Sequence, residues 1–201
     1  MSEIERLQSP FGRLAWDERL KWWESGEIAI PLFGGETTRI SLDAEQDDFL
    51  APFSPDVLLA ANSFLALTSG ARAEIEPHVW QEYVDMREVV AEEDCPVIAP
   101  DQLWNNVQLN SVAIGRRHKD GLVYVSIECN CEWEIEHALQ LVLQGGSRWV
   151  RVSDYSGHYT EGDAYARDEL DAWMSDPRAK LPVRSREDVL ARHGMYKRGK
   201  R

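Results

Sequence analysis

Apolar and polar positions alternate with a period of two over much of Gly121–His158, the longest such run in the chain. Val123, Val125, Ile127, Cys129, Cys131 and Trp133 share one parity, while Tyr124, Ser126, Glu128, Asn130 and Glu132 share the other. Successive side chains on a strand point to opposite faces, so the first set is assigned to a core and the second to a wetter face. The same pattern predicts strands over about 107–117, 121–133, 137–144 and 147–153.

Elsewhere the spacing changes. Trp16, Leu20 and Trp23 fall at i, i+4 and i+7 and predict a helix over 10–25 that stops at Gly26. The runs EIAIPLF and TTRISL, on either side of Gly34-Gly35-Glu36, predict a hairpin. Pro31 within its first strand marks an edge position, because proline donates nothing to a ladder. Ser54-Pro55-Asp56 opens a helix with Val57, Ala61, Phe64 and Leu65 along one stripe, and Ser69-Gly70 ends it. A second helix from Pro77 presents Val79, Tyr83, Met86 and Val90, and a helical turn spans 101–106. After the strands, Ala166, Leu170 and Trp173 predict a helix over 162–175. Ser185-Arg186-Glu187-Asp188 resembles a capping box that opens a short helix closed by Gly194.

Sequential strands joined by short turns form an antiparallel meander, so the expected fold class is α+β. About four C-terminal strands and an N-terminal hairpin pack with several helices. The expected organisation is one domain over 1–194: a helical and hairpin part (1–94), a sheet part (95–160) and C-terminal helices (161–194), followed by a disordered basic tail at 195–201.

Turn lengths convert the pattern into registers. With Gly145-Gly146 as a two-residue turn, Leu143, Leu141 and Leu139 oppose Arg148, Val150 and Val152. With Glu134-Ile135-Glu136 as the preceding loop, Cys131 and Cys129 oppose Leu139 and Leu141. Both registers then end on one rung that holds Trp133, His137 and Asp154. On the other side, a turn near Asp120-Gly121 sets Asn110 beside the cysteines.

Composition adds a charge asymmetry. The net charge is −13, yet residues from Arg178 onward carry nine Lys/Arg against Glu187 and Asp188, leaving a body near −20. A body of that sign repels nucleic acid and anionic lipid and attracts basic proteins. Three cysteines, two of them neighbours on one strand face, do not suggest a disulfide framework and fit a reducing compartment. The N-terminus lacks the apolar core of a signal peptide and no stretch reaches membrane-span length, so the expected location is the cytoplasm.

Candidate chemistry gathers where the strands end. Cys129, Cys131, Glu134, Glu136 and His137 are zinc-type ligands, but their spacing is not that of a zinc ribbon or knuckle, and alternation sends both thiols into the core. His137 with Asp154 is an oriented-imidazole pair of the kind acid–base chemistry uses, though no nucleophile motif accompanies it. The loop from Asp154 to Asp163, which includes His158, offers carboxylates without the pattern of a calcium loop. No phosphate loop, dinucleotide fingerprint or H-E-x-x-H is present, so no catalytic residue, metal ligand or cofactor is assigned. Trp133, Glu134, Glu136, His137, Asp154 and His158 form the candidate binding set.

The segment CNCEWEIEHALQ resembles a family of uncharacterised bacterial proteins whose sheet carries C-x-W-[DE]-x-E-H-G-L. Cys131, Trp133, Glu134, Glu136, His137 and Leu139 match that pattern, while Ala138 stands at the family's glycine. Ala99–Trp104 resembles the segment that precedes the family's sheet. Some relatives are similar in type to small acidic immunity or accessory proteins of bacterial conflict systems. Together with the acidic body, this implies a non-enzymatic protein-binding module whose partner is basic, for instance a toxin. The alternative is a small hydrolase or a metal- or ligand-binding protein that uses the His137/Asp154 end of the sheet.

Overall fold

A computed structural model describes residues 10–43, 54–89 and 95–183. The class is α+β, with most strands antiparallel. The meander forms as the alternation requires: β6 (Val107–Arg116), β7 (Val123–Cys131), β8 (Glu134–Gln144) and β9 (Arg148–Asp154) are antiparallel neighbours. Val123, Val125, Ile127, Cys129, Cys131 and Trp133 all enter the main core.

The N-terminal segment read as a helix over 10–25 is instead a hairpin of β1 (Leu14–Asp17) and β2 (Trp22–Ser25). The cause is local. The Asp17 carboxylate accepts the backbone N–H groups of Arg19 and Leu20, at 2.9 and 2.8 Å, and Lys21 turns the chain at φ +59°. Trp16 and Trp23 therefore meet across the ladder, with ring centroids 5.4 Å apart, rather than along one helix face.

The expected hairpin is present as β3 (Ile28–Ile30) and β4 (Glu36–Thr38). Pro31 does not sit within its strand; it ends it and starts a 3-10 turn, Pro31–Phe33, that buries Leu32 and Phe33. The chain then continues as β5 (Ile40–Asp43), which pairs antiparallel with β2 and parallel with β6, Ile40 facing Val112. The main sheet has the order β1-β2-β5-β6-β7-β8-β9.

The helices α1 (Pro55–Leu65) and α2 (Arg72–Val89) bury Val57, Ala61 and Phe64, and Ile75, Val79 and Tyr83, in the core shared with the sheet. Ser69–Ala71 forms the expected break. Helix α2 starts five residues before Pro77 rather than at it. Arg72 locks the β3–β4 hairpin to α2: its Nε donates to the Leu32 carbonyl at 2.7 Å, and its guanidinium lies 4.9 Å from the Phe33 ring and 4.8 Å from the Trp104 ring. The turn between β8 and β9 passes so close to α1 that a Cβ on Gly146 (φ +75°) would collide with the Ala60 carbonyl.

Residues 162–175 were expected to be one helix and are two pieces. A short α3 (Glu161–Tyr165) ends at Ala166, φ +52°, and a 3-10 segment follows over Asp168–Ser175. Together they lie across the face of the meander opposite α1 and α2. Tyr124, expected on the wetter face, is therefore fully buried, with Val142 and Val150 in a second small core under Tyr159, Trp173 and Met174. The expected position of Val90, the helix over 185–194 and the tail at 195–201 lie outside the described residues.

Candidate functional site

The strand registers differ from those expected, and the difference reshapes the candidate site. The β7–β8 turn is Glu132-Trp133, so Cys131 faces Glu134, and Cys129 faces Leu139 rather than Leu141. Between β8 and β9 the turn is Gly145-Gly146-Ser147, and a bulge near Val142/Leu143 adds a further shift. As a result Asp154 pairs with Leu139, and the Tyr155 N–H donates to the Ala138 carbonyl at 3.1 Å. Glu134–His137 extends beyond the last rung of β9. The expected Trp133–His137–Asp154 rung does not form. Asn110 also departs from expectation: it lies at a bulge between Leu109 and Ser111, is exposed, and accepts the Thr38 hydroxyl through its carbonyl at 2.7 Å.

The overhanging hairpin tip has its own order. One carboxylate oxygen of Glu134, Oε1, accepts the N–H groups of Glu136 and His137 at 3.0 Å each and lies 3.3 Å from His137 Nδ1. Glu134 thus works as a local cap for a chain end that has lost its neighbouring strand. Ala138 holds φ +62°, the left-handed bend by which the strand changes direction. Trp133 points back into the core, 2% exposed, with its ring edge-on to Tyr83 at 5.7 Å. Ile135 points out and is 88% exposed, between exposed Glu132 and Glu136.

Tyr83 connects the tip to a cleft of about 600 Å³ lined by Trp80, Tyr83, Val84, Arg87, Ile98 and Pro100, among others. The Tyr83 ring also meets Trp80 at 5.1 Å. Its hydroxyl donates to the Pro96 carbonyl at 3.0 Å and accepts the Ile98 N–H at 2.8 Å, which fixes the far wall of the cleft. Sequence reasoning placed Tyr83 in the core but not at a cleft. Its signal was the pair Trp80 and Tyr83, two aromatics three residues apart and so neighbours on the helix surface.

His158 is exposed in the loop after β9, apart from the capped tip turn, and Asp154 accepts the Ser153 hydroxyl at 2.7 Å. The thiols are core groups. Burial raises both, Cys129 well above the ordinary range and Cys131 to about 12, and Cys95, Cys129 and Cys131 are all free and buried. Among the described residues, no three His, Cys, Asp or Glu side chains converge as metal ligands, and no helix is long and apolar enough to cross a membrane.

A second polar cluster was missed entirely. Arg117, just after β6, donates to Asp120 at 2.8 Å, to Asp163 at 2.6 and 2.7 Å, to Asp171 at 2.8 Å and to Thr160 at 3.1 Å. Burial pushes the Asp163 carboxyl up, but the Arg117 hydrogen bonds and charge, helped by Thr160, outweigh it and hold Asp163 below the usual carboxylate range. The available signal was an arginine at the end of an apolar strand together with the density of aspartates over 163–176.

The profile of a domain of unknown function, DUF6985, matches residues 10–159, and the chain belongs to that family. No curated protein and no solved structure matches it.

Proposed function

We propose that this member of the family is a non-enzymatic protein-binding module whose partner is basic, and that it reads the partner with the β7–β8 tip and the adjoining cleft. The carrying observation is Ile135, 88% exposed on a tip braced by Glu134 and flanked by Glu132 and Glu136. An apolar centre within a polar rim is the usual anatomy of a protein–protein interface. The rigid base matters because less ordering entropy is lost on binding. The acidic rim, on a body near −20, would steer a basic surface to the tip. An immunity-type role, in which the partner is a basic toxin, fits the same chemistry. The alternative, a small hydrolase or a metal- or ligand-binding protein at the His137/Asp154 end of the sheet, is less well supported, because Asp154 pairs with Leu139 and does not share a rung with His137.

The test is affinity capture from native lysate on the immobilised chain, with Ile135→Asp and a Glu132→Lys/Glu136→Lys double variant alongside. A basic protein should be retained by the wild type, be lost as salt rises from about 50 to about 500 mM, and be lost with either variant. Retention of one and the same set of proteins by all three chains would sink the proposal.

A further inference from the structure

The meander has a second face, and basic groups gather on part of it. Arg117, Lys119, Arg148 and Arg151 gather there, around the apolar floor of Tyr124, Val142 and Val150. What covers this face is the segment over 160–176, which has six acidic residues against Arg167 alone. The pairing is systematic. Asp163 and Asp171 hold Arg117, Asp168 holds Lys119, and Glu161 lies 3.8 Å from Arg151. Arg148 donates to the carbonyls of Met174, Asp176 and Ala179 at 3.2, 2.8 and 3.1 Å, and its guanidinium lies 5.1 Å from the Trp173 ring.

Three observations distinguish this segment from an ordinary part of the core. Of its residues, only Thr160 and Gly162 are buried; Trp173 and Met174 rest half-buried on the apolar floor, and ion pairs together with Arg148 hold the rest of the segment to the sheet. It is internally organised: Asp171 accepts the Gly162 N–H at 2.9 Å, Thr160 accepts the Asp163 N–H at 3.2 Å, and the Arg167 N–H reaches the Gly162 carbonyl at 2.9 Å. It also begins where the family match ends, at Tyr159. The groups it covers belong to the family domain, and Arg117 keeps Asp120 as a partner of its own when the segment is away.

We propose that this face of the meander is a binding face for acidic peptide segments, and that residues 160–179 occupy it as a built-in, exchangeable ligand. The partner it fits is an acidic stretch with aspartates spaced to meet Arg117 and Lys119 and an aromatic residue to lie against Arg148. This face is separate from the acidic tip and stands whether or not the tip binds a basic protein.

The test uses the full chain and a fluorescently labelled synthetic peptide of residues 160–183. Asn at positions 163 and 171 (Asp163→Asn with Asp171→Asn) loosens the resident segment and leaves the sheet face intact. A ligand that must displace a resident competitor sees its apparent affinity reduced by the fraction of open molecules, so the double variant should bind the peptide at least about tenfold more tightly than the wild type. Binding should weaken with salt, and a shuffled peptide of the same composition should not bind. A folded variant that binds no better than wild type, or that binds the shuffled peptide equally well, overturns the proposal. Native-state hydrogen exchange on the wild-type chain provides a second reading that does not depend on the variant folding. The amides of Ala164, Arg167 and Leu170 should exchange together through one opening that salt promotes, while β7 and β8 stay protected. Exchange of those amides only on global unfolding would overturn the proposal.

Discussion

At the scale of single residues, the clearest energetic statement belongs to Arg117. One nearly buried guanidinium neutralises three half-buried carboxylates. Arg117→Met leaves those carboxylates crowded without a countercharge and should cost about 2–4 kcal/mol in urea unfolding at pH 7. The pH dependence follows from Asp163. Its folded pKa is depressed, so the stability it contributes is complete above the unfolded value of about 3.9 and is lost as pH falls through the folded value. The gap between wild type and Arg117→Met should therefore narrow below about pH 4, and urea midpoints measured across the acid range check it. The thiols give an independent residue-level expectation. Cys129 and Cys131, buried and raised, should not react with a thiol reagent at pH 8 until denaturant is added, as absorbance of the released chromophore would report.

At the scale of elements, what could be read from the sequence was parity, and what could not was register. Alternation is a local property, so the faces of β7 and the burial of its cysteines were legible. Register depends on turn length and bulges, and here a tighter β7–β8 turn, a longer β8–β9 turn and a bulge combined to move Asp154 from His137 to Leu139. The N-terminal error had another source: three residues at helical spacing were overruled by the Asp17 carboxylate, which ties down two amides of a turn. Burial of Tyr124 was not legible either, because the segment that covers it is distant in sequence and only weakly periodic. The tip also explains the one departure from the resembled pattern. Ala138, at the pattern's glycine, holds φ +62°, where a side chain is strained. Ala138→Gly should therefore stabilise the protein, by about 0.5–1 kcal/mol once the entropy of glycine in the unfolded chain is subtracted from the relieved strain. Thermal denaturation of the two proteins measures it.

At the scale of the whole molecule, the architecture is one sheet with two unlike covers. On one face two helices and the β3–β4 hairpin supply an apolar core; on the other an acidic segment sits over arginines and a small apolar floor. The formal charge of −13 therefore hides a structured distribution, with basic groups of the meander spent on intramolecular pairing and acidic groups left outward at the tip. On the two proposals above, one small protein would present two recognition surfaces of opposite sign.

The parallel junction of β5 with β6 has a consequence for how the chain reaches this state. Close to that junction, Thr38 reaches the Asn110 carbonyl across 72 residues, whereas each pair in the meander is joined by a short turn. Closing the long loop costs entropy before any pairing repays it, so the meander should assemble first and the N-terminal strands should dock late. During synthesis the strands β1, β2 and β5 would leave the ribosome well before their docking strand β6 exists. In stopped-flow measurements, core truncations in β7 or β8 should slow folding, while truncations in β2 or β5 should chiefly speed unfolding. The strands made first would then be the last to dock.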